Sequence, residues 1–391
     1  MGIFGKRETK ASRVGQVMRV EALGRPVWTP RDYASLAQEG FTKNPIVFRS
    51  VRMIAEAAAS APWVLYDGDR ELGAHPLLDM LSRPNPSQSG VFLMETLYGH
   101  LMVAGNAYLE AVAIDDTPRE LFALRPDRMR VIAGADGWPH AFEYTAAGRS
   151  VRFAQEGRVP PILHLSLFHP LNDHYGFAPI EAAQTSLDIH NASGAWSKAL
   201  LDNAARPSGA LVYTGEGHLN DEQFERLKAE LEDGYTGARN AGRPLLLEGG
   251  LDWKTMAMSP RDMDFIETKN QAAREIALAF GVPPMLLGIP GDNTYANFRE
   301  ANRAFWRQTV LPLVNRTAQS LSNWLGAAYG PRLRLSFDPD GIEALSTERE
   351  ALWDRVAAAD FLTRAEKRLA VGYGVERAER AVDIDEEAVV D

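Results

Sequence analysis

One segment constrains this chain more than any other: FGVPPMLLGIPGDNTYANFREANRAFWRQTVLPLV, residues 280–314, where a loop rich in proline and glycine separates two helix-forming runs. The run from Phe265 to Phe280 is compatible with a helix and must stop at Gly281. Pro283 and Pro284 lack the backbone N–H that a further turn would use. Gly288 and Gly291 follow, and Asn293 or Thr294 can cap a second long helix. On that helix Arg299, Arg303 and Arg307 recur at four-residue spacing and so share one face, which reads as cationic and free of apolar side chains. The fold must therefore join two long helices through a loop that carries no catalytic motif.

Length and composition set the outer limits. A chain of 391 residues, 45% of them hydrophobic, has material for about two or three cored domains. It contains no cysteine, which excludes disulfides, thiolate metal sites and thiol catalysis, and suits assembly in a reducing cytoplasm. No apolar stretch reaches the roughly 18 residues needed to span a bilayer. The N-terminal MGIFGKRETK has no hydrophobic signal core, so no membrane partner and no export are expected. Lys6 stands where a myristoylation signal after Gly2 needs Ser or Thr. The net charge of −10 is unevenly spread: residues 1–40 hold seven basic and four acidic side chains, whereas residues 339–391 hold seven and fourteen.

Along the chain, residues 1–40 show little periodicity and read either as an extended arm that docks on something or as a frayed terminus. Ile46, Val47, Val51, Ile54, Ala55 and Ala58 fall at helical spacing, and Pro62 ends that run. A second helix is expected around Val91–Val103, ended by Gly105, and residues 106–168 read as short strands between turns. From Pro179 to Ala205 there is no proline, so a single helix of about 26 residues and about 39 Å is expected. Residues 206–260 read as a compact insertion: the strand GALVYT, a charged helix over Asp221–Asp233, and the strands RPLLLEGG and LDWKTMAM. Leu333–Phe337 alternates like a strand and is expected to complete the earlier sheet. Two short helices follow within 343–380, with Thr363 as N-cap and Glu366 completing a capping box.

Sites of chemistry are hard to find. His164, His169, His174 and His190 lie close in sequence but lack the spacing of a zinc site, and read as strand-end histidines satisfied by backbone groups. The TGEG at 214–217 has no phosphate-cradling partner, and DPDG at 338–341 lacks the rest of a calcium loop. No G-x-S-x-G elbow is present. No catalytic residue, cofactor site or metal site is assigned. The arginine stripe reads either as a solvated face, with Glu300 pairing to Arg303, or as a functional surface.

Several pieces in unbroken order carry a resemblance. NPIVFRSVRMIAEAAASAPWVLY (44–66), HPLLDMLSRPNPSQSG (75–90), LMVAGNAYLE (101–110), GFAPIEAAQTSLDIHNASGAWSKALLDNAARPSGAL (176–211), LLLEGGLDW (245–253) and the 280–314 segment together resemble the portal, or head-tail connector, family of long-tailed lambdoid bacteriophages. The resemblance spans roughly residues 41–370. The short length and compact N-terminus are similar to portals of gene transfer agents.

That resemblance implies an α+β, elongated, multi-domain subunit of a cyclic ring, by family a dodecamer. It implies an N-terminal arm (1–40), a wing (41–176), a first stem helix (177–205), a clip (206–260) and a second stem helix (261–281). A tunnel loop and long helix (282–330), a strand completing the wing (331–340), and a helical crown with an acidic tail (341–391) follow. Pro283, Pro284, Gly288, Gly291, Asp292 and Asn293 would face the channel. Arg299, Arg303 and Arg307 would touch either DNA phosphates or a neighbouring subunit, and Glu222, Glu225, Arg226, Tyr235 and Arg239 of the clip would meet the terminase or adaptor. The implied partners are double-stranded DNA without sequence preference, the major capsid protein, the terminase large subunit and the head-tail adaptor. The implied location is the capsid vertex of a virion or phage-like particle assembled in the bacterial cytoplasm. An acidic surface suits a channel through which duplex slides without sticking. The rival readings are another head-tail junction ring or adaptor, and a metal-dependent nucleic-acid-processing enzyme.

Overall fold

Side-chain caps decide where the N-terminal helices begin. In the computed structural model, which describes residues 28–30, 32–202, 209–213, 222–223, 225–226, 251–255, 264–291 and 294–374, a short helix α1 (Tyr33–Leu36) and a π-helical turn precede α2 (Pro45–Ala59). Asn44 Oδ1 accepts from the N–H groups of Ile46 and Val47 at 3.0 and 3.1 Å, and Pro45 occupies the first turn, where its missing N–H costs nothing. The face of Val47, Val51, Ile54 and Ala58 is buried against α4 (Gly90–Ala104), which follows α3 (Pro76–Ser82). Ser89 caps α4, and Gly105 ends it at φ 67°, a conformation open to glycine at no Cβ cost. Leu93, Met94, Leu97, Tyr98, Leu101 and Met102 are all buried, so α4 is apolar on most sides and forms the axis of the core.

Three three-stranded antiparallel sheets accompany this axis, and β3 (Asn106–Ile114) and β4 (Thr117–Leu124) pack directly on it. β3 lies between β4 and β8 (Ile162–Ser166). β5 (Met129–Ala133), β6 (Pro139–Ala146) and β7 (Arg149–Ala154) form a meander. β1 (Trp63–Asp67) pairs with β2 (Arg70–Leu72) and, from Trp63↔Phe337 to Asp67↔Leu333, with β11 (Leu333–Phe337). The late strand thus exists where the alternation placed it, but it joins β1 rather than the strands of 106–166. β2 covers one edge of β1 and β11 takes the other.

The helix expected to run unbroken from Pro179 is interrupted. A first turn α5 (Pro179–Ala182) is fixed by Glu181, whose Oε1 accepts from the Ala178 N–H at 2.9 Å, and Ala183 leaves helical geometry at ψ 2° before α6 (Gln184–Asp202) begins. α6 packs on α7 (Phe265–Phe280), with Trp196 stacked on Phe265 at 4.0 Å between ring centroids. Of the insertion, β9 (Gly209–Tyr213) pairs antiparallel with β10 (Leu251–Thr255).

His169 is met by backbone as expected, its Nδ1 accepting from the Leu171 N–H at 3.0 Å, whereas His164 and His190 are met by asparagine side chains. Asn106, buried at the junction of α4 and β3, donates to Ala104 O at 2.8 Å. Its Oδ1 accepts from the Gly176 N–H at 2.8 Å and lies 2.9 Å from His164 Nε2. His164 also stacks on Tyr108. Asn44 Nδ2 lies 3.0 Å from His190 Nδ1. Burial pushes His164 and His100 down to about 4, with Arg125 adding to the effect at His100. Between the unfolded value of about 6.5 and the folded value of about 4, the unfolded chain binds more protons, so stability falls as the pH drops through that window. Thermal midpoints should therefore decline between pH 6.5 and 4.5, above the range where carboxylates dominate. The double variant His100→Gln/His164→Gln should flatten that slope, and an unchanged slope would assign it to other groups.

Candidate functional site

The corner after α7 is built as its residues require. Gly281 caps the helix at φ 67°, and Val282 N–H donates back to Ala277 O at 2.9 Å. Pro283 and Pro284 open a 3-10 turn over Pro284–Leu287, which Gly288 closes at φ 72°. The segment does not hang free: Val282 and Ile289 are buried, Ile289 against Ala273 and Ala277, and Arg274 donates to Pro290 O. Gly291 sits beside Arg274, while Asp292 and Asn293 lie outside the described residues.

Thr294 then caps α8 (Tyr295–Phe305), its Oγ1 accepting from the Asn297 N–H at 3.2 Å. α8 continues through a π-helical turn over Trp306–Val310 into α9 (Leu311–Tyr329). Pro312 explains that turn: it has no N–H for the carbonyl four residues back and its ring would crowd it, and a widened turn relieves both. Within the π turn, Thr309 Oγ1 donates to Gly281 O at 2.6 Å, so the long helix is bonded to the corner that precedes it.

The arginine face differs from its expected character. Tyr295, Phe298 and Trp306 line the same cleft as Arg299 and Arg303, a space of about 840 Å³ against residues 341–347, so the face is not free of apolar groups. Arg303 pairs with Glu300 and lies 3.5 Å from Glu348 Oε1, and Arg307 lies 3.1 Å from the same oxygen. Glu348 belongs to α10 (Ser346–Ala357), an element no local signal links to the stripe. Arg299 has no ion pair among the described residues. Exposed pairs of this kind are worth about 0.2–1 kcal/mol each and serve more to orient helices than to stabilise them.

α10 and α11 (Arg364–Ala370) are held to the sheet by a second, better-shielded set of contacts. Thr363 and Glu366 form the expected capping box on α11. Arg349 bonds both carboxylate oxygens of Asp340 and donates to Val371 O at 2.6 Å, while Tyr373 Oη donates to Asp340 at 2.9 Å. The Arg349 guanidinium holds the Asp340 carboxyl below its usual range, and burial followed by the Asp340 contact pushes Tyr373 up to about 12. Tyr66 of β1 completes the latch by donating to Gly372 O at 3.0 Å.

Of the insertion residues, Glu222, Glu225 and Arg226 are exposed helical residues, whereas Tyr235 and Arg239 lie outside the described residues. Among the described residues there is no group of three or more metal-ligating side chains, and no helix is long and apolar enough to cross a membrane.

Comparison with known proteins gives concordant matches. The family model described as phage portal protein matches residues 45–372. An uncharacterized protein of Rickettsia bellii (strain RML369-C) is 44% identical over 339 residues, covering 85% of this chain and 88% of its own. A chain in the neck of an empty GTA particle, computed with C6 symmetry, is 56% identical with a TM-score of 0.71, covering 90% of this chain and 96% of that one. A chain in the neck of the native GTA particle, computed with C12 symmetry, is 54% identical with a TM-score of 0.68, over 90% and 96% of the two chains.

The corner carries a sharp test. A Cβ at Gly281 would lie 2.8 Å from Thr309 Oγ1 on top of the left-handed backbone cost, so Gly281→Ala should lower stability by about 1–3 kcal/mol. Removing the crowding atom should make the double variant Gly281→Ala/Thr309→Ala less destabilised than the sum of the singles, read from denaturant unfolding. Strict additivity would mean that the two residues do not act as one contact.

Proposed function

Because the chain belongs to the phage portal protein family, we propose that it forms the portal of a gene transfer agent, a ring of twelve copies at one capsid vertex through which DNA enters and leaves. The family and the portal ring at the vertex are the firm part of that statement. The observation that carries the rest is likeness across nine-tenths of the chain to a subunit of a GTA neck, at 56% identity. The C12 symmetry of the second neck structure supports twelve copies.

In this reading residues 282–294 edge the channel, and the insertion at 206–260 meets first the terminase large subunit and then the head-tail adaptor. The major capsid protein surrounds the ring, and assembly takes place in the bacterial cytoplasm. The ring itself catalyses nothing, and a separate motor drives the DNA. The channel would need weak, sequence-independent contact, since phosphate contacts position a duplex without reading it. With Arg303 and Arg307 committed to Glu348, Arg299 is the member of the stripe left for that contact.

Purified protein viewed by negative-stain microscopy alongside sedimentation should give hollow rings with a central channel. A compact monomer at every concentration, with no rings on co-expression with the capsid protein, would sink the proposal. Arg299→Ala should leave the rings intact and reduce the DNA retained in particles. Loss of rings in that variant would instead place Arg299 at the contact between subunits.

A further inference from the structure

An apolar groove on the outer side of the N-terminal core is left uncovered by the described residues. α2 contributes Phe48, Val51 and Ala55 at helical spacing, α4 contributes Gly99 and Val103, and the groove encloses about 430 Å³. Phe48 is 41% exposed although it touches Phe41 at 5.2 Å between ring centroids. The apolar strip runs on along α4 to Val91 and Phe92, both more than half exposed. Gly99 has no atom within 4 Å of where a Cβ would stand, so the groove is open at its centre. One carboxylate, Glu95, stands on its wall with no ion pair among the described residues, whereas Glu56 opposite is taken by Arg49 and Arg52.

This combination asks for a short segment that presents bulky apolar side chains next to a cation. We propose that the groove is the docking site of the chain's own N-terminal arm, with Ile3 and Phe4 entering between α2 and α4 and Lys6 or Arg7 meeting Glu95. Three observations favour this occupant. Residues 1–27 hold six basic and two acidic side chains, opposite in sign to the free carboxylate of the groove. The sequence Ile3-Phe4-Gly5-Lys6-Arg7 sets two large apolar residues directly before two bases. The described chain starts close to the groove: Thr29 is held to Asp188 of α6, and Tyr33, four residues on, already lines the groove. The 24 residues from Phe4 to Trp28 can extend up to about 80 Å, enough to reach the groove of the same copy or of a neighbour. The inference concerns a surface apart from the channel segment and does not depend on which partner meets the insertion.

The absence of cysteine makes the test clean. In the full-length chain, Phe4→Cys combined with Thr96→Cys should form a disulfide under mild oxidation at least tenfold faster than Phe4→Cys combined with Ser150→Cys, a position on β7 that does not line the groove. The gel position of the product, as a single chain or as linked chains, reports which copy supplies the arm. Adding Gly99→Phe, which fills the open centre, should abolish the rate advantage, and Glu95→Lys should reduce it severalfold. Equal rates for the two cysteine pairs would overturn the proposal. So would a rate advantage that neither Gly99→Phe nor Glu95→Lys alters. If Gly99→Phe removes rings while no disulfide forms in its parent, the groove is covered by the body of a neighbouring subunit and the arm is excluded. Retained rings in the Phe4→Cys/Thr96→Cys variant keep this outcome separate from failure of the portal assignment itself.

Discussion

The bond from Thr309 to the carbonyl of Gly281 is the contact on which the second half of the molecule turns. Its donor sits in a π turn imposed by Pro312, and its acceptor is the last residue of a helix that Pro283 and Pro284 forbid from continuing. Each proline creates a defect, and the two defects are placed so that they satisfy each other. As a result α7 and the α8–α9 helix meet at a fixed corner, and the loop between them is shaped at its base. Ile289 and Arg274 extend that order past the glycine turn at 288.

Electrostatics follow the same economy. Three arginines in register look like a cationic rail, but Glu348 removes two of them by bridging to Arg303 and Arg307 from another helix. Of the stripe, Arg299 is the member without an ion pair among the described residues. The pairs join α8 to α10, so the position of α10 and the tilt of α8 are coupled, while the Asp340–Arg349–Tyr373 latch ties the other end of the same unit to β1. The latch is better shielded than the arginine bridge. When the two are strained together, the bridge is the one expected to yield.

How much of this was legible depends on the range of the interaction. Helix ends were readable because their causes are local: Gly105 and Gly281 as left-handed caps, Thr294 as an N-cap, Thr363 with Glu366 as a capping box. Strand existence was readable for the same reason, from alternation at Leu333–Phe337 and short runs between turns at 106–168. Partnership was not readable. That β11 pairs with β1 joins strands from opposite ends of the chain, a fact about the whole fold. The Glu348 bridge and the Asn106 contact with His164 likewise rest on groups far apart in the chain. Of the candidate site, the corner was visible in its prolines and glycines, but Thr309 and Arg274 were not, since neither belongs to a motif and both act only after the helices have packed.

The distribution of exposed apolar side chains separates the folding of the subunit from its assembly. The centre of the α2–α4 core is filled by its own chain, with Leu93, Leu97 and Ile54 fully buried. α7 is different: Ile266 and Leu278 are nearly four-fifths exposed, as is Phe168 in the stretch that follows β8, where Leu171 is more exposed still. A monomer gains nothing from these groups in water, whereas a closed ring needs two unlike faces on every subunit and can bury both. Because the missing partners lie outside the core, a subunit can complete its fold alone and keep its apolar faces for the neighbour.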